Sequence, residues 1–367
     1  MPPEEKAAEA PSPTPGPTRD PSLEVSVVVP AHRAEATLGA CLDALGRQTL
    51  AASRLEVIVV DDASPDGTAA LAEARGARVL RQPARRGPAA ARNAGVRAAR
   101  APIVVFTDAD CEPDPGFVEA IIAPLLADAG VCGAKGAYRS QQRPLVARFV
   151  QAEYEDRYDR MARERDRIDF IDTYAAAFRR ADLLAVGGFD EGFPDASVED
   201  QELAFRLAAR GARLVFRPEA VVRHHGHADS LERYARKKFR IGFWKVAVLG
   251  RHPGKAVRDS HTPQVLKAQV VLAAAIGAAL AGGAVRAALA GLAGAFAPFA
   301  ALLGIFLLTT LPFAAKALRR AGPDVAAAAP YLLLLRAWAL GLGLFWGLVK
   351  RPRLARPAPA PAAGSAS

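Results

Sequence analysis

The period of hydrophobic and polar positions changes several times along the chain. Val25 to Val29, Glu56 to Val60, Arg78 to Leu80 and Ile103 to Phe106 are short runs rich in β-branched residues and read as strands. Between them, Ala36 to Gly46, Thr68 to Arg75 and Pro88 to Arg100 are Ala- and Leu-rich stretches that read as helices, with Gly46 and Gly76 as stops. Apolar strands alternating with helices predict an α/β domain whose mostly parallel sheet is covered on both faces. Ligands of such sheets bind beyond the carboxyl ends of the strands, so the chemistry is sought just after each strand.

The tail has another pattern. Ala268 to Val285 and Ala287 to Ala315 carry no charge and are separated only by Arg286. Each is long enough to cross a bilayer core, which predicts two spanning helices joined by a tight turn at Gly282 and Gly283; two buried helices of a soluble domain are the alternative. Lys255, Arg258 and Lys267 precede the pair and Lys316, Arg319 and Arg320 follow it, so the preference of positive residues for the cytoplasmic side puts both ends there. Val325 to Val349 is a third apolar segment with Arg336 near its middle. A full span leaves Lys350, Arg351, Arg353 and Arg356 on the wrong side by that rule, whereas an interfacial or re-entrant helix does not, so two or three spans stay open. At the other end, residues 1–22 are Pro-rich without the basic and apolar regions of a signal peptide, and predict a disordered leader.

Composition adds sign to this pattern. The 367 residues hold 48 Lys and Arg against 38 Asp and Glu, a formal charge of +10; 51% hydrophobic and 23% charged residues exclude a disordered chain. A positive surplus suits nucleic acid, anionic lipid or phosphorylated substrates. Tyr234 to Lys245 interleaves aromatic and basic residues; immediately before a spanning pair it reads as an amphipathic helix on anionic lipid rather than a nucleic-acid platform, and it could also close over a diphosphate. Arg143 to Arg167, rich in alternating charge, predicts a solvated or acceptor-side helix. Cys41, Cys111 and Cys132 lie far apart without CxxC spacing, so neither a disulfide framework nor a thiolate metal site is suggested.

Acids collect at the strand ends. Asp61 and Asp62 follow the second strand; Ser64 and Asp66 suffice as turn and cap residues, but two carboxylates at the strand end point to contact with a base or ribose at Asp62. Asp108 and Asp110 follow the fourth strand in a DxD arrangement, hard oxygen ligands that suit Mg²⁺ or Mn²⁺ on a diphosphate, or simply loop acids capping a helix that starts near Asp114. Arg92 lies on the helix opened by Pro88, where it reaches a phosphate or stays on a solvated face. His224, His225, Gly226 and His227 form the histidine cluster; imidazole beside carboxylates suits Mn²⁺, and a solvated basic turn is the plainer alternative.

Val25 to Arg33 with Gln48 and Thr49, Val59 to Thr68, Gly87 to Gly95, Thr107 to Asp110, Gly187 to Asp190 and Val198 to Leu203 together resemble, in order, the family-2 inverting glycosyltransferases of GT-A type fold. The resemblance covers residues 24–245, and a membrane tail is common in a branch of that family. It implies a Rossmann-like α/β domain followed by membrane helices, with Pro30, Ala31 and His32 lining the nucleotide pocket and Asp62 meeting the base. It further implies Asp108 and Asp110 at the ribose and the metal, Asp110 being the preferred direct ligand, and Asp200 as general base. In the resembling branch an HxH near the cluster completes the metal site, and His225 with His227 match that spacing. His32 departs from the usual residue at its place, and the segment near Tyr234 lacks the QxxRW pattern, so processive synthesis is not implied.

The expected organisation is a leader at 1–22, a catalytic domain at 23–245, a juxtamembrane segment with two or three membrane helices at 246–350, and a basic then Pro/Ala-rich tail at 351–367. The expected activity is metal-dependent (Mg²⁺ or Mn²⁺) transfer of a sugar from a UDP- or GDP-sugar to a glycan, lipid or polyprenyl-phosphate acceptor of the cell envelope. It takes place on the cytoplasmic face of the cell membrane, with membrane lipids as partners and no nucleic acid. Two rivals are a catalytically inert scaffold of the same fold, unsupported because Asp62, Asp108, Asp110 and Asp200 are all present, and a dinucleotide-dependent oxidoreductase. The latter is disfavoured because Pro30, Ala31, His32 and Arg33 stand where GxGxxG belongs.

Overall fold

The structure is a computed structural model and describes residues 20–195, 197–256, 262–290, 292 and 294–352. Most of the expected leader, Arg258, and the tail with Arg353, Arg356 and Pro357 to Ser367 lie outside the described residues. The first half follows the predicted alternation as β1 (Val25–Ala31), α1 (Leu38–Gly46), β2 (Leu55–Asp61), α2 (Thr68–Ala74), β3 (Arg78–Arg81), α3 (Pro88–Ala98) and β4 (Ile103–Phe106). There follow β5 (Cys111–Pro113), α4 (Phe117–Ala127), β6 (Val131–Arg139), α5 (Leu145–Met161), β7 (Ala176–Arg179), α6 (Arg180–Ala185), α7 (Glu199–Ala209) and β8 (Arg213–His224). Four long helices follow among the described residues: α8 (Leu231–Arg251), α9 (Gln264–Ala290), α10 (Ala297–Arg320) and α11 (Pro323–Lys350).

Eight strands form one sheet in the order β3-β2-β1-β4-β7-β6-β8-β5. The pairs among β3, β2, β1 and β4 are parallel, as is β6 with β8, while β7 runs antiparallel to both neighbours and β5 antiparallel to β8. Both faces are dry. Val25, Val27 and Val29 join Leu38, Phe117 and Ile121 in one core, and Val28, Ile58, Val60, Val104 and Phe106 join Leu203 and Phe189 in the other. That double burial is why these strands are continuously apolar. Gly95 lets α3 lie tight on the sheet, since a Cβ there would stand 2.3 Å from Val28 Cγ1. β1 pairs with β2 on one side and β4 on the other, so the chain reverses direction across the sheet there and leaves a crevice over their carboxyl ends.

The tail corrects two expectations. Gly282 and Gly283 lie inside α9, and the chain turns at Gly294 (φ 68°) to Phe296 instead. Each helical Gly costs about 1 kcal/mol, but Gly283 is where the returning chain packs: a Cβ there would meet Phe296 Cδ1 at 2.7 Å and Ala295 O at 2.9 Å. The segment Arg143 to Arg167 is solvated only at its ends, at residues 143–145 and 162–167, and not along the rest of α5. Val146, Phe149 and Val150 of α5 are buried with Ala273, Ile276, Phe306 and Leu333 of the tail. The charges of α5 are paired across this contact: Glu153 with Arg336, Asp156 with Lys316, Asp159 with Arg320, and Arg148 with Asp324.

Three helices, α9, α10 and α11, are long and apolar enough to cross a membrane. They are not equally enclosed, because α11 packs along α8 in close contact. Cβ atoms at Gly343 and Gly242 would stand 2.1 Å from Phe239 O and 2.3 Å from Leu340 O respectively. Helix α8 carries the interleaved aromatic and basic segment, starts at Ser230, whose hydroxyl caps it by accepting from Arg233 N, and buries Tyr234. Arg336 is 8% exposed and its guanidinium binds Glu153 Oε1 at 2.7 Å and Gln269 Oε1 at 2.7 Å, which accounts for a charge in an apolar helix.

Candidate active site

The crevice over β1, β2 and β4 gathers the acids expected at strand ends. Pro30 and Ala31 pair in register with Val60 and Asp61, and His32 follows with Nδ1 2.8 Å from Asp62 O. Asp62 is 3% exposed and both its oxygens are engaged: Oδ1 accepts from Arg86 N and Oδ2 from Gly87 N, each at 2.8 Å. The carboxylate thus ties the loop before α3 to the end of β2. Gly87 makes that loop fit, with φ 88° and Pro194 O only 2.8 Å from where a Cβ would stand.

Arg92 is not on a solvated face. It is 3% exposed and bridges two motifs distant in sequence, Nη1 donating to Glu199 Oε1 at 2.9 Å and Nη2 to Asp108 Oδ1 at 3.1 Å. One residue on, Asn93 donates to Phe189 O and accepts from Phe189 N, both at 2.8 Å, fastening the Gly187-Gly188-Phe189 turn to α3. Both glycines of that turn have positive φ. Helix α3 is therefore the clamp that holds Asp108, after β4, beside Glu199, the residue before Asp200 at the start of α7.

Asp200 keeps part of its surface open, and its Oδ1 accepts from Gln201 N at 2.7 Å. Burial, with the negative charges of Glu199 and Asp172, pushes its carboxyl well above the ordinary carboxylate range. Behind it Lys135, fully buried, pairs with Asp172 and donates to Tyr174 Oη at 2.9 Å.

At the other acid the structure differs from the expected histidine. Asp110 Oδ2 faces His224 Nε2 at 3.4 Å, whereas His225 Nε2 lies 2.8 Å from Glu112 Oε1. His227 is 1% exposed, bound through Nε2 to Gln151 Oε1 at 3.1 Å, and pushed down by burial to about 3. The pairing of β5 with β8 sets His224 opposite Cys111, and residues alternate along a strand, so His225 points elsewhere. Against the pull of burial, the hydrogen bond and charge of His224 hold the Asp110 carboxyl below its ordinary range.

Asp110, Cys111 and His224 offer ligand atoms within 4.8 Å of one another. A divalent ion fits here. Gly226 leaves room in front of the carboxylate, a Cβ there standing 2.3 Å from Asp110 Oδ2, and His224 Nδ1 is buried without a partner. Carboxylate and imidazole suit Mg²⁺ or Mn²⁺, while the buried thiol is a soft donor ill matched to either. No signal in the local sequence separates His224 from His225; the pairing of β5 with β8 does.

A family model for glycosyl transferase family 2 matches residues 26–187. The chain carries a glycosyl transferase family 2 domain. The chain is 30% identical over 266 residues to a pre-mycofactocin glycosyltransferase of Mycobacterium tuberculosis, covering 67% of this chain and 51% of that protein. It is 31% identical over 234 residues to a validoxylamine A glucosyltransferase of Streptomyces hygroscopicus subsp. limoneus, covering 54% and 51%. The chain thus spans about half the length of these curated relatives. In three dimensions it is similar to a mannosyltransferase of Pyrobaculum calidifontis solved with GDP-Man and Mn²⁺, with a TM-score of 0.54 at 24% identity over 91% of both chains. That likeness is one of fold: a GT-A type domain followed by C-terminal helices.

Proposed function

We propose that the protein is an inverting glycosyltransferase that moves a sugar from a nucleoside diphosphate donor to an acceptor at a membrane surface. The observation that carries this reading is the Arg92 bridge, which ties Asp108 of the DxD pair to Glu199, the neighbour of Asp200, near the reversal point of the sheet. In this reading the donor's nucleoside lies over Pro30, Ala31 and His32, with Asp62 holding the loop that closes on it. Asp108, tied to Arg92, faces the ribose, and Asp110 with His224 forms the metal site, a role that His225 takes on only by leaving Glu112. Held by Asp110 and His224, a divalent ion would supply positive charge to offset that of the departing diphosphate.

Asp200 accepts the proton of an acceptor hydroxyl as its oxygen attacks the anomeric carbon. The new C–O bond forms as the bond to the diphosphate breaks on the opposite side, which inverts the centre. A high proton affinity at Asp200 suits a base that must take a proton from a weakly acidic hydroxyl.

In the membrane, α9 and α10 serve as the crossing hairpin with both outer ends at the catalytic domain. Arg336 bound to Glu153, the long contact with α8, and the exposed Tyr331, Trp338, Phe345 and Trp346 favour α11 as a helix in the interface. Lys350 and Arg351 then stay on the same side as Lys316, and the charge rule is kept.

The experiment is a screen of UDP- and GDP-sugars with detergent-purified full-length protein. Release of the nucleoside diphosphate is expected with Mn²⁺ or Mg²⁺ and is lost in chelator. Absence of release from every donor tried, in the presence of membrane extract as acceptor source, contradicts the reading.

A further inference from the structure

His227 is buried in a box of rings beside the proposed metal site. It stacks on Tyr154 with 9° between planes and 5.7 Å between centroids, faces Tyr138 at 5.1 Å, and stands 5.0 Å from the His224 ring. Gln142 pins its backbone, Oε1 accepting from His227 N at 2.8 Å and Nε2 donating to His227 O at 3.3 Å. The hydrogen on this ring can be placed. Gln151 of α5 turns its amide nitrogen to Glu155 Oε1 at 3.2 Å, and its Oε1 accepts from Ser140 N at 2.9 Å, so the same oxygen accepts from His227 Nε2 at 3.1 Å. His227 Nε2 therefore carries the hydrogen. Its Nδ1 is buried without a partner among the described residues; a second hydrogen there would have no acceptor, so Nδ1 presents a bare lone pair. His224 has the complementary need. Its Nε2 faces Asp110 Oδ2 at 3.4 Å, and its Nδ1 is likewise buried and unpartnered among the described residues. When Nε2 gives its lone pair to an ion, the hydrogen of this ring sits on Nδ1, and a buried donor needs an acceptor.

We propose that His227 is a positioning residue for the metal site: its Nδ1 accepts the Nδ1–H of His224 and so fixes the tautomer and orientation in which His224 offers Nε2 to a divalent ion. A small turn of the His224 imidazole suffices, because centroids 5.0 Å apart put facing ring nitrogens within hydrogen-bond reach. His227 is not itself a ligand. Its Nε2 belongs to Gln151, and the ligand atoms that meet within 4.8 Å among the described residues are those of Asp110, Cys111 and His224. The tautomer of His227 is set from α5, the helix whose Glu153 holds Arg336 of the tail, so the metal site and the tail share one support. The role rests on the metal site of the transferase reading; the complementarity of the two rings rests on burial and the hydrogen-bond inventory alone.

The test follows Mn²⁺ binding to detergent-purified full-length protein through loss of the free-ion electron paramagnetic resonance signal, with no nucleotide present. Wild type is expected to hold the ion at a site that Asp110→Ala removes. His227→Phe keeps a ring against Tyr154 and is expected to lower the affinity about 10- to 100-fold, as loss of an outer-shell partner does, with Tm unchanged. His227→Asn, whose side-chain oxygen stands near the place of Nδ1, retains most of the affinity. In a His224→Ala background the added His227→Phe changes nothing further, whereas a direct ligand adds its own loss. If His227→Phe does not fold, Gln151→Leu against Gln151→Glu carries the same test: the first frees the tautomer and weakens binding, the second keeps an acceptor for Nε2–H and does not. Wild-type affinity in folded His227→Phe, equal losses in the phenylalanine and asparagine variants, additive loss in the double variant, or equal affinity of the two Gln151 variants overturns the positioning role. Mn²⁺ binding that is indifferent to Asp110→Ala overturns the metal-site reading, and this proposal with it.

Discussion

Asp200→Asn lowers turnover with a hydroxyl acceptor by about 10²–10⁴-fold, the range that a positioned general base contributes, while donor binding changes little. Asparagine keeps the shape and the acceptor oxygen for Gln201 N but takes no proton. The wild-type rate carries a second signature. Because burial and the charges of Glu199 and Asp172 raise the proton affinity of Asp200, the group is protonated and inactive at low pH, and kcat rises as pH increases through its elevated pKa. The residual rate of Asp200→Asn lacks that limb. Initial-rate profiles of the two proteins decide the point; a variant with the wild-type profile removes Asp200 from the chemistry.

Glu153→Gln destabilises the folded protein by about 3–5 kcal/mol, as expected when one partner of a buried ion pair is removed. Glu153 is 6% exposed and holds Lys238, Arg336 and the Tyr234 hydroxyl together, so the neutral amide leaves two cations facing each other in a largely buried junction. Its carboxyl is strongly desolvated, yet Lys238 and Arg336 bring it down from an ordinary value near 4.5 to about 2. A depressed folded-state value means that this stabilisation is complete above about 4.5 and is lost as pH falls toward about 2. Thermal unfolding across that window is expected to show wild type losing Tm toward the level of Glu153→Gln. The double variant Glu153→Leu with Arg336→Leu loses less than the sum of its parts, because the pair is removed together. Near-neutral single variants contradict this account of how the catalytic domain grips its tail.

The first four strands and three helices were legible because strands buried on both faces leave an uninterrupted apolar run, and helices between them must cover that sheet. Asp62, Asp108, Asp110 and Asp200 were legible as acids at strand and helix ends. What the chain did not disclose locally is how these acids are used at rest. The amide partners of Asp62 lie 24 and 25 residues on, and the carboxylates that hold Arg92 lie 16 and 107 residues on.

The solvated alternative for helix α5 failed for a physical reason. Its charged residues imitate a solvated face, but their counterions sit in the tail, 160, 176 and 183 residues away for Lys316, Asp324 and Arg336. Glycine pairs in a long apolar helix mislead in the same way. Gly282 and Gly283 have the composition of a turn, yet Gly283 serves a close crossing that becomes visible only once Phe296 is in place.

The most direct measurement is calorimetric titration of the purified full-length protein with UDP and GDP, with Mn²⁺ and with chelator, for wild type and Asp110→Ala. The account predicts that wild type binds at least one of the two nucleoside diphosphates in the presence of the ion, and that chelator or Asp110→Ala abolishes this binding while the variant keeps the wild-type Tm. Binding of equal strength without the ion, or undiminished binding in Asp110→Ala, contradicts it.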